Sequence, residues 1–277
     1  MTAFALLVVG LIVQPLLWLS SAILVFVALA QELREVLRVL AIALGSTVVF
    51  FTVLYGAPGV GGQLGLSAWL PPLGLALLSK RGFRLSDISA IAALASLMLL
   101  MMANASVDGG LFRAIESALP LWLEQMQWQG PELSESDIKA VALILPGAVA
   151  AMLTLVWLFA FWIGRSWFLR IYQDSTFGAE FAKSKFSPTT AAVLAAIAVG
   201  FWFLGGDSIW RFASMVPVMA LASIGFSRLH RMTDNVSGKF GIRVLAYLVT
   251  FIFWQWLGVV WAALAVADSI NQSVQKT

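Results

Sequence analysis

Residues 140–164 read AVALILPGAVAAMLTLVWLFAFWIG and contain no charged side chain. A transmembrane helix needs about 20 mostly apolar residues to cross about 30 Å of hydrocarbon. The stretch is long enough for this, and Pro146 within it predicts a local kink. It therefore predicts a helix that spans a lipid bilayer.

The composition of the whole chain favours the same environment. Of its 277 residues, 61% are apolar and 11% are charged, whereas soluble domains carry about 25% charged residues. The mean hydropathy is +0.92. A water-soluble fold could not bury so much apolar surface, so we predict an integral membrane protein. The chain has no cysteine, which excludes disulfides and thiolate metal sites.

The same length criterion, applied along the chain, predicts about eight transmembrane spans. They cover approximately residues 3–30, 37–55, 64–79, 86–104, 140–164, 189–205, 208–227 and 244–267. The long first stretch is either one bent span or a re-entrant pair. We therefore predict an all-α, polytopic transmembrane helical bundle that forms a single integral membrane domain over residues 1–277.

The basic residues predict the orientation, because short cytoplasmic loops of membrane proteins are enriched in Lys and Arg. Most of the 17 basic residues fall in one set of loops, and the opposite side receives Arg113, Lys139, Arg211 and Lys276. We expect the basic set to be cytoplasmic, with both termini outside, in the cytoplasmic (inner) membrane of a bacterium. Since the basic residues follow the topology, the lipid bilayer is the expected partner and nucleic acid is not.

The segment 165–188 is both aromatic and charged. Trp167, Phe168, Ile171 and Tyr172 fall at helical spacing, which is typical of an amphipathic helix lying in the membrane interface. Arg165 and Arg170 are then expected to reach lipid phosphates. The alternative is a docking surface for a cytoplasmic partner protein.

The outer loop 105–138 is also amphipathic. An apolar stripe runs along it, and its charged residues lie elsewhere on the predicted helix. The members of the stripe are Leu111, Ile115, Leu119, Trp122 and Met126. This pattern indicates a second interfacial helix or a lid over an outward-facing pocket.

The segment 165–188 also carries a sequence signature. It resembles a pattern of the YybS-like family, which comprises bacterial membrane proteins of unknown function. That pattern is R-x-W, then L-Y-N-P-G-G-F, and then E-F after two further residues. The matching positions are Arg165, Trp167, Tyr172, Phe177, Glu180 and Phe181. The motif at 267–269, A-D-S, and His230 are also similar to that family, whereas residues 173–176 read QDST in place of N-P-G-G.

The resemblance implies a function as well as a fold. The YybS-like family is distantly similar to the substrate-capture subunits of energy-coupling-factor vitamin transporters. It therefore implies a small helical membrane protein that captures a solute from outside and works with a separate energising subunit.

Ionisable and amide side chains in an apolar chain are the candidates for binding a solute. Asp207, Arg211 and Asp268 are expected at the outer ends of their spans, and Gln14 and Gln255 near the middle of the first and last spans. Each has a structural alternative. Asp207 and Arg211 are four residues apart and could form an ion pair on one helix, and the glutamines could form hydrogen bonds between helices.

Catalytic constellations are scarce. His230 is the only histidine, and no phosphate-binding loop of the G-x-x-x-x-G-K-[ST] type occurs. Ser67 resembles a nucleophile only in its local sequence, since Ser67 and His230 are expected on opposite sides of the membrane. We predict a protein without catalytic residues, metal or cofactor. Its expected function is solute capture or permeation, and the alternative is a scaffold that docks a partner through 165–188.

The orientation predicts the outcome of cysteine labelling, for which a cysteine-free chain needs no background correction. Ser136→Cys is expected to react with a membrane-impermeant thiol reagent from outside intact cells, because the loop 105–138 is predicted to face outward. Ser184→Cys is expected to stay unlabelled under the same conditions. The reverse pattern would show that the orientation is inverted.

Overall fold

The computed structural model describes residues 19–127, 130, 133–234 and 236–274. Helix accounts for 86% of the described residues, which contain no strand. The prediction of an all-α chain is confirmed.

Twelve helices occur in the described part. Their bounds are Leu19–Ala30 (α1), Leu33–Tyr55 (α2), Pro58–Lys80 (α3), Leu85–Ser106 (α4), Gly110–Gln125 (α5), Glu135–Tyr172 (α6), Phe177–Ala182 (α7), Pro188–Leu204 (α8), Ile209–Ala213 (α9), Met215–Thr233 (α10), Lys239–Ile252 (α11) and Trp254–Val274 (α12). The helix predicted within the outer loop 105–138 is present as α5.

Among the described residues, four helices are long and apolar enough to cross a membrane. They are α2, α4, α6 and the continuous stretch Ile209–Thr233, which comprises α9 and α10. Within the described residues, the apolar segments Leu19–Ala30, Pro188–Leu204 and Trp256–Asn271 are shorter than this. The apolar helices are those of a membrane-embedded protein, but the count of eight spans is not confirmed.

The predicted last span, 244–267, is interrupted and needs correction. The chain turns at Phe253, between α11 and α12. α11 runs back along α10, because the Tyr247 hydroxyl lies 2.7 Å from Nε2 of His230. α12 then runs in the same direction as α10, since Trp261 packs against Phe226 and Asp268 pairs with Arg231 further along.

The chain divides into two compact units. The first comprises residues 19–88 and 156–181 of the described part, and the second comprises residues 89–155 and 182–274. The division falls within α4, α6 and α7.

In the first unit, α1, α3 and the second half of α6 pack together. Nε1 of Trp69 donates a hydrogen bond to Oγ of Ser20 at 2.9 Å, and Oγ of Ser21 donates to the carbonyl of Ala68 at 3.1 Å. Gly164 of α6 lies so close to α1 that a Cβ there would stand 2.7 Å from the side chain of Val25. Small and hydroxyl-bearing residues therefore allow these helices to approach closely, as is typical of membrane helices.

The second unit has an extensive apolar core. Buried residues of α4, α6, α8, α10 and α12 form one cluster, which includes Leu97, Ala150, Leu194, Ile224 and Ala265. Hydrogen bonds between helices supplement it: Oγ1 of Thr154 lies 2.8 Å from Oγ of Ser96, and both residues are buried. Such hydrogen bonds stabilise helix packing in a membrane because lipid offers no competing hydrogen-bond partner.

The closest approach between α10 and α12 depends on Gly225. A Cβ at this position would clash with the backbone carbonyl of Trp261. Since the obstructing atoms belong to backbone, the two helices would have to move apart to accept any side chain.

Gly225→Ala is therefore expected to lower the free energy of unfolding by about 1–3 kcal/mol, the usual cost of overpacking a core. Thermal unfolding of the detergent-solubilised chain measures the change. Gly200→Ala in α8 is the matched control, because nothing lies within 4 Å of a Cβ there and alanine favours a helix over glycine. Equal melting temperatures for the two variants would contradict the packing argument.

Candidate functional site

A depression of about 350 Å³ lies beside α9 in the second unit. Its lining comes from the end of α4, the start of α5, α6, and the connection from α8 to α9. The lining residues are Asn104, Gly109, Gly110, Phe112, Leu143, Asp207, Ser208, Ile209 and Trp210. Its volume falls within the range of small-molecule sites.

One wall is the turn between α4 and α5. Oδ1 of Asn104 accepts a hydrogen bond from the backbone N–H of Leu111 at 2.9 Å. Gly109 and Gly110 have φ values of 77° and 79°, a left-handed conformation that favours glycine. At Gly110 a Cβ would also stand 2.9 Å from Oδ1 of Asn104. The turn is thus closed by the amide side chain and by the absence of side chains at both glycines.

A second part of the wall is the turn between α8 and α9. Oγ of Ser208 donates to the carbonyl of Gly205 at 2.5 Å, and the carbonyl of Ser208 accepts from the N–H of Arg211 at 3.1 Å. Gly206 has a φ of 54°. The turn leaves Asp207 exposed to solvent at the rim of the depression.

Asp207 and Arg211 do not pair with each other. Asp207 precedes Ser208, the N-cap residue of α9, so the two side chains are not one turn apart on the same helix. The Arg211 guanidinium instead lies 4.5 Å from the ring centroid of Trp202, a cation–π contact. Its buried Nε has no hydrogen-bond partner among the described residues. Arg211 does not line the depression, which leaves Asp207 as the one charged residue in its lining.

The chain matches no protein-family model, no curated protein and no solved structure. The resemblance to the YybS-like family therefore stays a prediction.

Asp268 lies elsewhere, and its predicted place beside Arg211 needs correction. Oδ1 of Asp268 accepts from Nη1 of Arg228 at 3.1 Å, and Oδ2 pairs with Arg231. Arg228 and Arg231 follow Arg211 by 17 and 20 residues along Ile209–Thr233, which is about 25–30 Å of helix. The cause is the turn at Phe253, which makes α12 parallel to α10.

The two predicted glutamines contribute nothing to the described site. Gln14 lies outside the described residues, and Gln255 is in the first turn of α12, with its side chain outside the described part.

Of the five predicted solute-binding residues, Asp207 is the one that lines the depression. Asn104, Phe112 and Trp210 also line it, and the sequence analysis did not predict them. The signal that could have found them is a glycine pair, 109–110 and 205–206, at each turn that forms the wall.

A second depression of about 450 Å³ adjoins the first. It shares Ser208 and Trp210 with the first, and the rest of its lining is Ile197, Gly200, Phe201, Leu204 and Gly205. The ring of Trp210 stacks on that of Phe201 at 6.2 Å between centroids. The second depression therefore offers an apolar surface next to the polar one.

The aromatic segment 165–188 is folded back rather than laid out as one interfacial helix. α6 continues to Tyr172, and α7 returns so that Glu180 meets Arg165 in a two-pronged ion pair of 3.0 and 2.9 Å. Nη1 of Arg165 also donates to Oγ of Ser79 at 3.0 Å. Arg165 therefore binds protein groups, where lipid phosphates were expected.

The phenylalanines of this motif also turn inward. Phe177 and Phe181 stack on each other at 5.5 Å, and Phe181 packs edge-on to Trp162 at 5.3 Å. Phe181 is buried, whereas Tyr172 is exposed and contacts Phe168. Trp167 is half-buried. The motif residues thus act mainly as internal contacts of the first unit.

No group of three His, Cys, Asp or Glu side chains able to hold a metal ion occurs within the residues that the structure describes. That the protein is not an enzyme stays a prediction from its sequence.

The ion pair between Arg165 and Glu180 is expected to be energetically coupled. Its side chains are 17% and 32% exposed, so solvent screens the pair less than a surface pair. A double-mutant cycle with Arg165→Gln and Glu180→Gln should give a coupling free energy of about 0.5–3 kcal/mol in thermal unfolding.

Glu135 and Lys139 provide the control cycle. They form an i,i+4 ion pair at 2.7 Å, with side chains 84% and 50% exposed, and their cycle is expected to show no measurable coupling because exposed pairs contribute little. Equal coupling in the two cycles would refute the structural role of Arg165 and Glu180.

Proposed function

We propose that the protein captures a small organic cation at the depression beside α9. The observation that carries this proposal is the lining itself: a solvent-exposed carboxylate, Asp207, stands with the rings of Phe112 and Trp210 and the polar side chains of Asn104 and Ser208. A carboxylate attracts an ammonium group, and aromatic faces attract cations.

The predicted candidate Arg211 does not contribute to this site, because its guanidinium stacks on Trp202 and lies outside the lining. Asp207 has no ion pair within the described part of the chain, so its charge is available to a ligand. The adjoining depression provides Phe201 and Leu204 for an apolar portion of the same solute.

The proposed setting is the cytoplasmic membrane of a bacterium, with the depression facing outward. The end of α12 then faces the cytoplasm, because Asp268 pairs with Arg228 and Arg231 at the far end of α10, in place of the outside location that the sequence suggested for the C-terminus. The distribution of charge along α10 supports this orientation. Asp207 lies just before the start of Ile209–Thr233, whereas Arg228, Arg231 and Arg243 gather near its other end. Short loops rich in Arg and Lys favour the cytoplasmic side.

Capture alone does not move a solute, so the proposal includes a separate energising subunit. This part rests on the resemblance to the YybS-like family and on the absence of a phosphate-binding loop in the sequence. Purification from native membranes in a mild detergent tests it, and an ATPase that copurifies with the chain is the expected result.

The alternative is a scaffold that docks a cytoplasmic partner through 165–188. Exposed Ile171 and Tyr172 favour it, at 65% and 56% exposure. Against it, Arg165 and Glu180 bind each other and Phe181 is buried. The internal pairing leaves few of the motif residues for a partner, so solute capture has the stronger support.

A thermal-shift screen tests the solute site. Primary and quaternary amines with one aromatic or aliphatic substituent should include a compound that stabilises the detergent-solubilised chain, and its neutral isostere should not. A ligand at a hundredfold excess over its Kd adds about 2.7 kcal/mol to the free energy of unfolding. Asp207→Asn should remove most of that gain.

Asp108→Asn is the matched control. Asp108 is exposed and immediately precedes Gly109, but it does not line the depression. This variant should keep the full stabilisation by the amine. A screen in which no amine stabilises the protein, or an amine whose effect survives Asp207→Asn, would overturn the proposed site.

A further inference from the structure

The end of α10 opposite the depression carries a strongly basic surface, here called the α10 basic cluster. Its members are Lys183, Lys185, Arg228, Arg231, Lys239 and Arg243. The acidic side chains that contact it are Asp234 and Asp268. The cluster therefore holds more positive charge than its protein partners neutralise.

Two of the arginines are fixed by the protein. Arg231 donates to the carbonyl of Ala182 at 2.9 Å and to Oγ of Ser227 at 2.8 Å, besides its pair with Asp268. Arg243 donates to Oγ1 of Thr233 at 2.8 Å and to the carbonyl of His230 at 2.9 Å. These bonds hold the guanidinium groups in place before any ligand arrives.

Arg228 is bound differently. Within the described chain it makes one hydrogen bond, from Nη1 to Oδ1 of Asp268 at 3.1 Å, and its side chain is 38% exposed. A guanidinium carries five N–H donors, so most of those on Arg228 are open to a ligand. Asp268 cannot neutralise both arginines, because it carries a single negative charge.

Lys183 and Lys185 are placed beside these arginines by the backbone between them. The carbonyl of Ser184 accepts from Oγ of Ser227 at 2.8 Å and from Nη1 of Arg231 at 3.4 Å. Neither lysine forms an ion pair in the described residues, and Lys183 is exposed. Both lysines therefore belong to the stretch of backbone that lies against Ser227 and Arg231, next to Arg228, and guanidinium and ammonium groups suit phosphate.

The apolar surface next to the cluster decides which phosphate compound fits. α11 has 14 residues and is about 21 Å long, too short to cross a bilayer. Arg243 of α11 bonds to α10, while Phe240, Leu245, Leu248 and Ile252 are between 55% and 80% exposed. Exposed apolar side chains beside cationic ones are typical of a helix that lies against lipid.

We propose that the α10 basic cluster binds the phosphate of an anionic phospholipid, with the acyl chains against the exposed face of α11. A free phosphate ion shares the chemistry of the headgroup but makes no use of α11. Basic sites between membrane helices bind anionic headgroups in this manner. The proposal depends on the membrane location and not on the solute site beside α9.

The test uses the full-length chain, purified in detergent and stripped of lipid. Thermal stabilisation is measured with mixed micelles of dioleoyl phosphatidylglycerol, with dioleoyl phosphatidylcholine, and with inorganic phosphate at the same concentration. We expect stabilisation by phosphatidylglycerol and little by the other two. The effect should weaken as salt is raised, because salt screens the exposed charges.

Two variants assign the effect to the cluster. Lys183→Gln combined with Lys185→Gln leaves the Arg228–Asp268–Arg231 contacts intact, and each lost charge should raise the apparent Kd for phosphatidylglycerol about fivefold. Arg228→Gln should have a similar effect, and Arg228→Lys should restore part of the affinity. Arg113→Gln, in α5 beside the other end of α10, removes the same charge and should bind like the wild type.

Three outcomes would overturn the proposal. They are equal stabilisation by phosphatidylcholine, stabilisation by inorganic phosphate as large as that by phosphatidylglycerol, and unchanged affinity of the Lys183→Gln/Lys185→Gln variant. The double variant decides the matter even if Arg228→Gln fails to fold, since neither lysine supports the contacts around Asp268.

Discussion

The second unit depends on the close contact between α10 and α12. In lipid the hydrophobic effect does not drive helices together, so van der Waals packing and hydrogen bonds must do so. Gly225 brings the helix backbones together at Trp261, and the small side chains Ala220 and Ala265 are buried within the core. Farther along, Asp268 binds two arginines of α10. Helix packing at Gly225 and ion pairs at Asp268 thus stabilise successive positions along the same helix–helix interface.

The length and apolarity of the sequence predict the long helices well, because a continuous apolar run of about 20 residues has few other stable conformations in lipid. The predicted spans 37–55, 86–104 and 140–164 lie within α2, α4 and α6. The interruption of 244–267 was not predictable in this way. No Gly or Pro marks Phe253, and the break depends on contacts of Tyr247 and Arg243 with α10.

The candidate sites show what spacing rules omit. An interval of four residues predicts a pair only if both residues lie on one helix, and Asp207 precedes the start of α9. Arg165 and Glu180 are 15 residues apart and follow no spacing rule. They meet because the chain reverses between α6 and α7. The sequence offers two signals for the pair: both residues belong to the R-x-W … E-F motif, and they carry opposite charges on either side of the break.

α6 is longer than a bilayer requires, and the positions of its charged residues indicate which part of it spans the membrane. Its 38 residues extend about 57 Å, against about 40–45 Å for a bilayer with its headgroups. Lys139 near one end and Arg165 near the other are 26 residues apart, or about 39 Å. Between them the helix has no charged residue. α6 therefore matches a membrane of ordinary thickness, and in a thinner one it must tilt to keep both cations at the headgroups.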